Sequence, residues 1–137
     1  VGGGDTVYML EKWKEKGITE KIIDAYNRGV IICGLSAGAI CWFENMYTDS
    51  FLVTGKENEY AFYNGLGIID GTCCPHYNLR QKDFDNSVKI EDDKPVYAIE
   101  DDSAIVFSNG EFERVLSSGG NAYSLSKING KVIKTLL

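Results

Sequence analysis

The apolar run Val30-Ile31-Ile32-Cys33 leads directly into Gly34-Leu35-Ser36-Ala37-Gly38, and no other stretch constrains the fold as tightly. A β-branched run reads as a core strand, and the small residues around Ser36 let the chain turn sharply into a helix, giving the G-x-S-x-G form of a nucleophile elbow. Such a turn needs small residues on both sides of the serine, because the backbone N–H that follows must stay free to bind an oxyanion. Ala39-Ile40-Cys41-Trp42-Phe43 continues with helix-compatible residues. Ser36 is therefore the first residue to suspect of chemistry.

The flanking pattern predicts an α/β chain. Asp5 or Thr6 can cap a helix running to about Lys16, with Val7, Leu10 and Trp13 as its apolar stripe and Gly17 at its end. Thr19 is expected to cap a second helix, with Ile22, Ile23 and Tyr26 facing inward. Residues 44–64 read as a long loop with one short strand near Phe51-Leu52-Val53. Short strands are expected at Leu66-Gly67-Ile68-Ile69, Thr72-Cys73-Cys74 and Val96-Tyr97-Ala98-Ile99, with a helix over 79–90. Asn109-Gly110 and Asn129-Gly130 are hairpin signals. The order suits a mostly parallel sheet with antiparallel hairpins at the C-terminal end, within a single domain covering 1–137.

Bulk properties exclude several functions. A net charge of -6, with 14 scattered basic residues, argues against nucleic acid or an anionic membrane as partner. No apolar stretch approaches the roughly 20 residues of a membrane span, so a cytoplasmic protein is expected. Cys33, Cys41, Cys73 and Cys74 form no C-x-x-C pair, and His76 is the only histidine, so neither a metal nor another cofactor is expected. All four are expected to be buried, reduced thiols.

A serine nucleophile needs a base, and His76 in Cys74-Pro75-His76-Tyr77-Asn78 is the one imidazole available. Pro75 stops the preceding strand, so His76 should project from its C-terminal end, where parallel α/β sheets gather catalytic groups. The orienting acid is open at this level. Glu100 ends another strand; Asp49, in the long loop, is its rival, with Asp101 behind them. An esterase reading, with the order serine, acid, histidine, would instead require Asp49 or Asp70. The N–H groups of Gly2-Gly3-Gly4 can line the site opposite Ala37.

Gly-Gly-Gly-Asp-Thr, Ser-Ala-Gly-Ala, Cys-Pro-His-Tyr and Ala-Ile-Glu-Asp, in this order, resemble the peptidase E family of serine peptidases, the α-aspartyl dipeptidases together with the cyanophycinases. The resemblance spans nearly the whole chain. It implies a three-layer, flavodoxin-like fold of the class I glutamine-amidotransferase type, and cleavage of short peptides after an N-terminal aspartate through an acyl-enzyme. By motif, Ser36 resembles the nucleophile and His76 the base, while Glu100 or Asp49 resembles the acid; Gly3, Gly4 and Ala37 resemble the oxyanion-hole backbone. Asp5 stands where the family has asparagine. Arg80 and Lys82 are candidates to bind an acidic substrate side chain. Glutamine amidotransfer is disfavoured because the elbow carries serine where that chemistry uses cysteine. A peptide-binding member without turnover is the non-enzymatic alternative. The resemblance also implies further N-terminal strands; a sheet lacking them would expose edges and favour association with that segment or with a second copy.

Overall fold

The computed structural model describes residues 1–57, 59–91 and 94–137. Asp5 caps α1 (Thr6–Glu15) by accepting a hydrogen bond from the Tyr8 N–H at 2.9 Å, and its carboxylate also accepts one from the Ser50 hydroxyl. α2 (Ile18–Asn27) is entered through Gly17 in the left-handed region, φ 63°, which turns the chain straight out of α1. Thr19 therefore lies inside α2 and does not cap it.

After the elbow comes the short α3 (Ala37–Ile40), and then β1 (Phe43–Thr48), α4 (Phe51–Thr54) and β2 (Ala61–Asn64) occupy the stretch expected to be mostly loop. The strand expected at Phe51-Leu52-Val53 is a single helical turn, closed by N–H bonds from Val53 and Thr54 to the Ser50 carbonyl. β3 (Ile69–Cys74) is one continuous strand, followed by α5 (Tyr77–Ser87) and β4 (Val96–Ile99). β5 (Ser103–Ser108) with β6 (Glu111–Ser117), and β7 (Ala122–Ile128) with β8 (Lys131–Leu136), form the two expected hairpins. At both turns the Asn and the Gly have positive φ, 52° and 82° in the first and 51° and 77° in the second. Asparagine and glycine tolerate that conformation, which is why Asn-Gly marks such turns.

The larger sheet runs β2-β1-β3-β4-β7-β8. Its centre is parallel, β1 with β3 and β3 with β4, and its flanks are antiparallel. Alternation along the central strands divides the core in two, because successive side chains point to opposite faces. Met46, Cys73 and Tyr97 join Val7 of α1, Trp42 and Phe43 on one face. Tyr47, Cys74, Val96 and Ala98 join Phe84 of α5 and Val88 on the other. The result is an α/β fold with helices on both faces of a sheet. Burial raises the thiol pKa of Cys41 to about 12 and pushes those of Cys73 and Cys74 up as well.

The run Val30–Cys33 forms no strand and lies in neither sheet. Val30 is 51% and Ile31 92% exposed, and Cys33, expected in the core, is exposed too. A β-branched run favours extension, but burial needs paired neighbours. Beside this run Val1 makes two backbone contacts: its amino group donates to the Cys33 carbonyl at 2.8 Å, and its carbonyl accepts from the Leu35 N–H at 3.1 Å. The core and this segment should respond to mutation to very different extents. Phe84, fully buried against the rings of Tyr47, Phe62 and Tyr77, should cost about 3–5 kcal/mol when changed to alanine. Ile31→Ser should stay within about 0.5 kcal/mol in the same chain. Urea unfolding of the two variants measures the contrast, and equal losses would contradict this placement of the core.

Candidate active site

Steric exclusion builds the elbow. A Cβ at Gly34 would lie 2.0 Å from the Gly38 carbonyl oxygen, and one at Gly38 would lie 2.4 Å from the carbonyl oxygen of Val1. Only glycine fits either position, so the chain folds back on itself with the Val1–Gly4 segment against it. Ser36 at the apex has φ 52° and ψ -118°, a conformation that non-glycine residues hold only when their surroundings impose it. Its carbonyl accepts from the N–H groups of Ala39 and Ile40. The Ala37 N–H heads α3, where helix geometry supplies no intrahelical acceptor. Gly3 lies alongside, with its Cβ position 3.6 Å from the Ser36 Oγ. Gly4, at φ 143°, turns the chain into Asp5 and α1.

His76 follows β3 and Pro75. It takes a left-handed conformation, φ 52° and ψ 39°, and its carbonyl accepts the N–H bonds of Leu79 and Arg80 that begin α5. Its Nε2 is 2.8 Å from the Ser36 Oγ, and its Nδ1 is 2.6 Å from Oδ1 of Asp101. An ionised carboxylate can only accept. The Asp101 carboxyl is held below the usual carboxylate range, first by the hydrogen bond from His76 and then by that from Asn78. With Nδ1 donating to that carboxylate, the Nε2 of a neutral ring can accept from the Ser36 hydroxyl. Nδ2 of Asn78 donates to Oδ2 of Asp101 at 3.1 Å, and the Asp101 N–H donates to Oδ1 of Asn78 at the same distance.

The remaining expected residues lie elsewhere. Glu100 does not reach the imidazole: its Oε2 accepts from the N–H and the side-chain amide of Asn121, at 2.9 and 3.0 Å. Glu100 and Asp101 are adjacent where β4 ends and the turn to β5 begins, so one side chain goes to the start of β7 and the other to His76. Asp49 is paired with Arg80 at 3.1 Å. Arg80 is 7% exposed, donates also to the Tyr47 carbonyl and lies over the Tyr60 ring at 4.7 Å, so it braces α5 against β1 and offers no free guanidinium. Lys82 is exposed on α5. Asn78 was not among the expected residues, although it stands only two residues after His76 at the start of α5, within reach of the carboxylate that the imidazole also meets.

Ser36, His76 and Asp101 open onto a cleft of about 1020 Å³ with apolar walls that include Trp42, Phe43, Ile99, Ile105 and Phe107. Among the described residues lining it there is no lysine or arginine. The described residues contain no group of three or more histidine, cysteine or acidic side chains able to hold a metal ion. No helix among them is long and apolar enough to cross a membrane. A hydroxyl, an imidazole and a carboxylate in hydrogen-bonded series are the side chains that acyl-transfer chemistry uses.

The chain is similar to proteins named as peptidases. The chain is 35% identical over 128 residues to YgaJ of Bacillus subtilis, named as an uncharacterized peptidase, covering 90% of this chain and 53% of that protein. It is 28% identical over 129 residues to the uncharacterized peptidase Lin0382 of Listeria innocua, covering 87% and 59% respectively. The chain thus spans about half the length of the curated relatives it matches. Residues 1–115 match the family model of peptidase family S51, and the chain belongs to that family.

Proposed function

We propose that this chain carries the catalytic site of a serine peptidase acting on short peptides, with Ser36 as nucleophile, His76 as base and Asp101 as orienting acid. The observation that carries the reading is the continuous hydrogen-bonded series from Ser36 through His76 to Asp101, at 2.8 and 2.6 Å. Attack of the Ser36 Oγ on the scissile carbonyl forms the new C–O bond while Nε2 of His76 takes the hydroxyl proton. Negative charge develops on the carbonyl oxygen, where the N–H groups of Ala37 and of the Gly3-Gly4 turn supply donors that need no rearrangement. His76 then returns the proton to the leaving amine as the C–N bond breaks, and water releases the acyl group by the same steps in reverse.

Asp101 acts by position and charge. It fixes the proton on Nδ1 and stabilises the imidazolium that forms during attack. Its lowered pKa keeps it ionised through the range in which an ordinary carboxyl would begin to protonate.

An acidic substrate side chain needs a cation, and Arg80 is already paired with Asp49. The apolar cleft without lysine or arginine among its described residues supports a preference set by the peptide backbone and uncharged groups, and not by an N-terminal aspartate. Hydrolysis of a panel of dipeptides and tripeptides, with and without N-terminal aspartate, tests both parts. Ser36→Ala and His76→Ala should abolish turnover, and Asp101→Asn should lower kcat by about 10³–10⁴-fold. Glu100→Gln should change it less than about threefold, since that carboxylate serves Asn121. The opposite ranking of the Asp101 and Glu100 variants would overturn the assignment of the acid.

A further inference from the structure

The Asp101 carboxylate is 44% exposed, and the terminal torsion of an aspartate is broad, so one contact to His76 would leave the group free to rotate. Two other contacts restrain the residue, one at its backbone and one at its carboxylate. The Asp101 carbonyl is wedged against Gly120, where a Cβ would lie 1.7 Å from that oxygen. Asn78 closes a reciprocal pair with the same residue, giving a proton to Oδ2 and receiving one from the Asp101 N–H, each at 3.1 Å. The amide has no ambiguity of orientation here, because its oxygen must face the N–H and its nitrogen the carboxylate.

From this arrangement we infer that Asn78 is a positioning residue that aims Oδ1 of Asp101 at the imidazole by holding Oδ2. The inference rests on the serine-peptidase reading above and adds to it a residue that touches neither substrate nor His76. Geometry makes the division of labour clear. His76 and Asn78 are both on the first turn of α5 or immediately before it, so base and brace move as one unit. Each occupies a different oxygen of one carboxylate, and a carboxylate held at both oxygens cannot turn away from the ring. His76 and Arg80 favour the ionised Asp101 carboxylate, and the acidic Glu100 and Asp102 flank it in sequence.

Inactivation by an alkyl fluorophosphonate, followed as a function of pH on the folded chain, separates this role from a structural one. Asn78→Ala should lower the maximal inactivation rate by about 10–100-fold, the loss expected for one hydrogen bond to a charged group, with the half-saturating probe concentration unchanged. Asn78→Asp keeps the acceptor for the Asp101 N–H but sets an anion against Oδ2. It should move the acid limb of the profile to higher pH, because added negative charge favours the protonated imidazole. Asn86→Asp, the same charge change at an exposed position on the same helix, should leave that limb in place. Equal profiles for the wild-type and Asn78→Ala chains would overturn the inference, as would equal shifts from Asn78→Asp and Asn86→Asp. A wild-type chain that fails to react at all would overturn the serine-peptidase reading itself, which distinguishes the two failures.

Discussion

Parallel pairing of β3 with β4, in the register Cys74 opposite Ala98, is the constraint on which the site depends. Two parallel strands end on the same edge of the sheet, so the residues just past them meet without any special loop. His76 lies two residues beyond Cys74 and Asp101 three beyond Ala98, close enough for the 2.6 Å contact between them. The strands themselves are held by alternation: Cys73 and Tyr97 enter one half of the core, and Cys74, Val96 and Ala98 the other. A one-residue slip would exchange these faces and carry His76 or Asp101 out of reach.

The serine arrives by a different route. Its strained backbone is fixed by two glycines, each with a carbonyl oxygen where a Cβ would be, and by the N-terminal segment packed into the turn. Such strain persists only where surrounding contacts outweigh it. The contacts between Val1 and residues 33–35 therefore bear on Ser36 directly; beside them Val30, Ile31 and Leu35 face solvent while Ile32 packs against the core. The proposed site thus joins residues that follow two buried strands, His76 and Asp101, to a serine on a turn whose preceding run lies outside the sheet.

Features governed by local backbone chemistry were legible in the sequence. The elbow, the Asn-Gly turns, the Asp5 cap and the placement of His76 after Pro75 each follow from what glycine, asparagine, aspartate and proline permit. What depends on distant partners was not. Val30–Cys33 reads as a core strand because its residues favour one, yet pairing is decided by neighbours that a local pattern does not contain. Glu100 and Asp101 are indistinguishable in composition and adjacent in sequence, and the direction of the turn after β4 decides which faces the imidazole. Arg80 looked like a cation for substrate, but its burial against Tyr60 and Asp49 is a tertiary fact.

The central claim is that His76, set by Asp101, makes Ser36 nucleophilic. Reacting the chain with a fluorophosphonate, digesting it and locating the adduct by mass spectrometry tests this most directly. The account predicts one phosphonyl group per chain, on the peptide containing Ser36, and none on that peptide in His76→Ala. An adduct on a different residue, or undiminished modification of Ser36 in the His76→Ala chain, would contradict it.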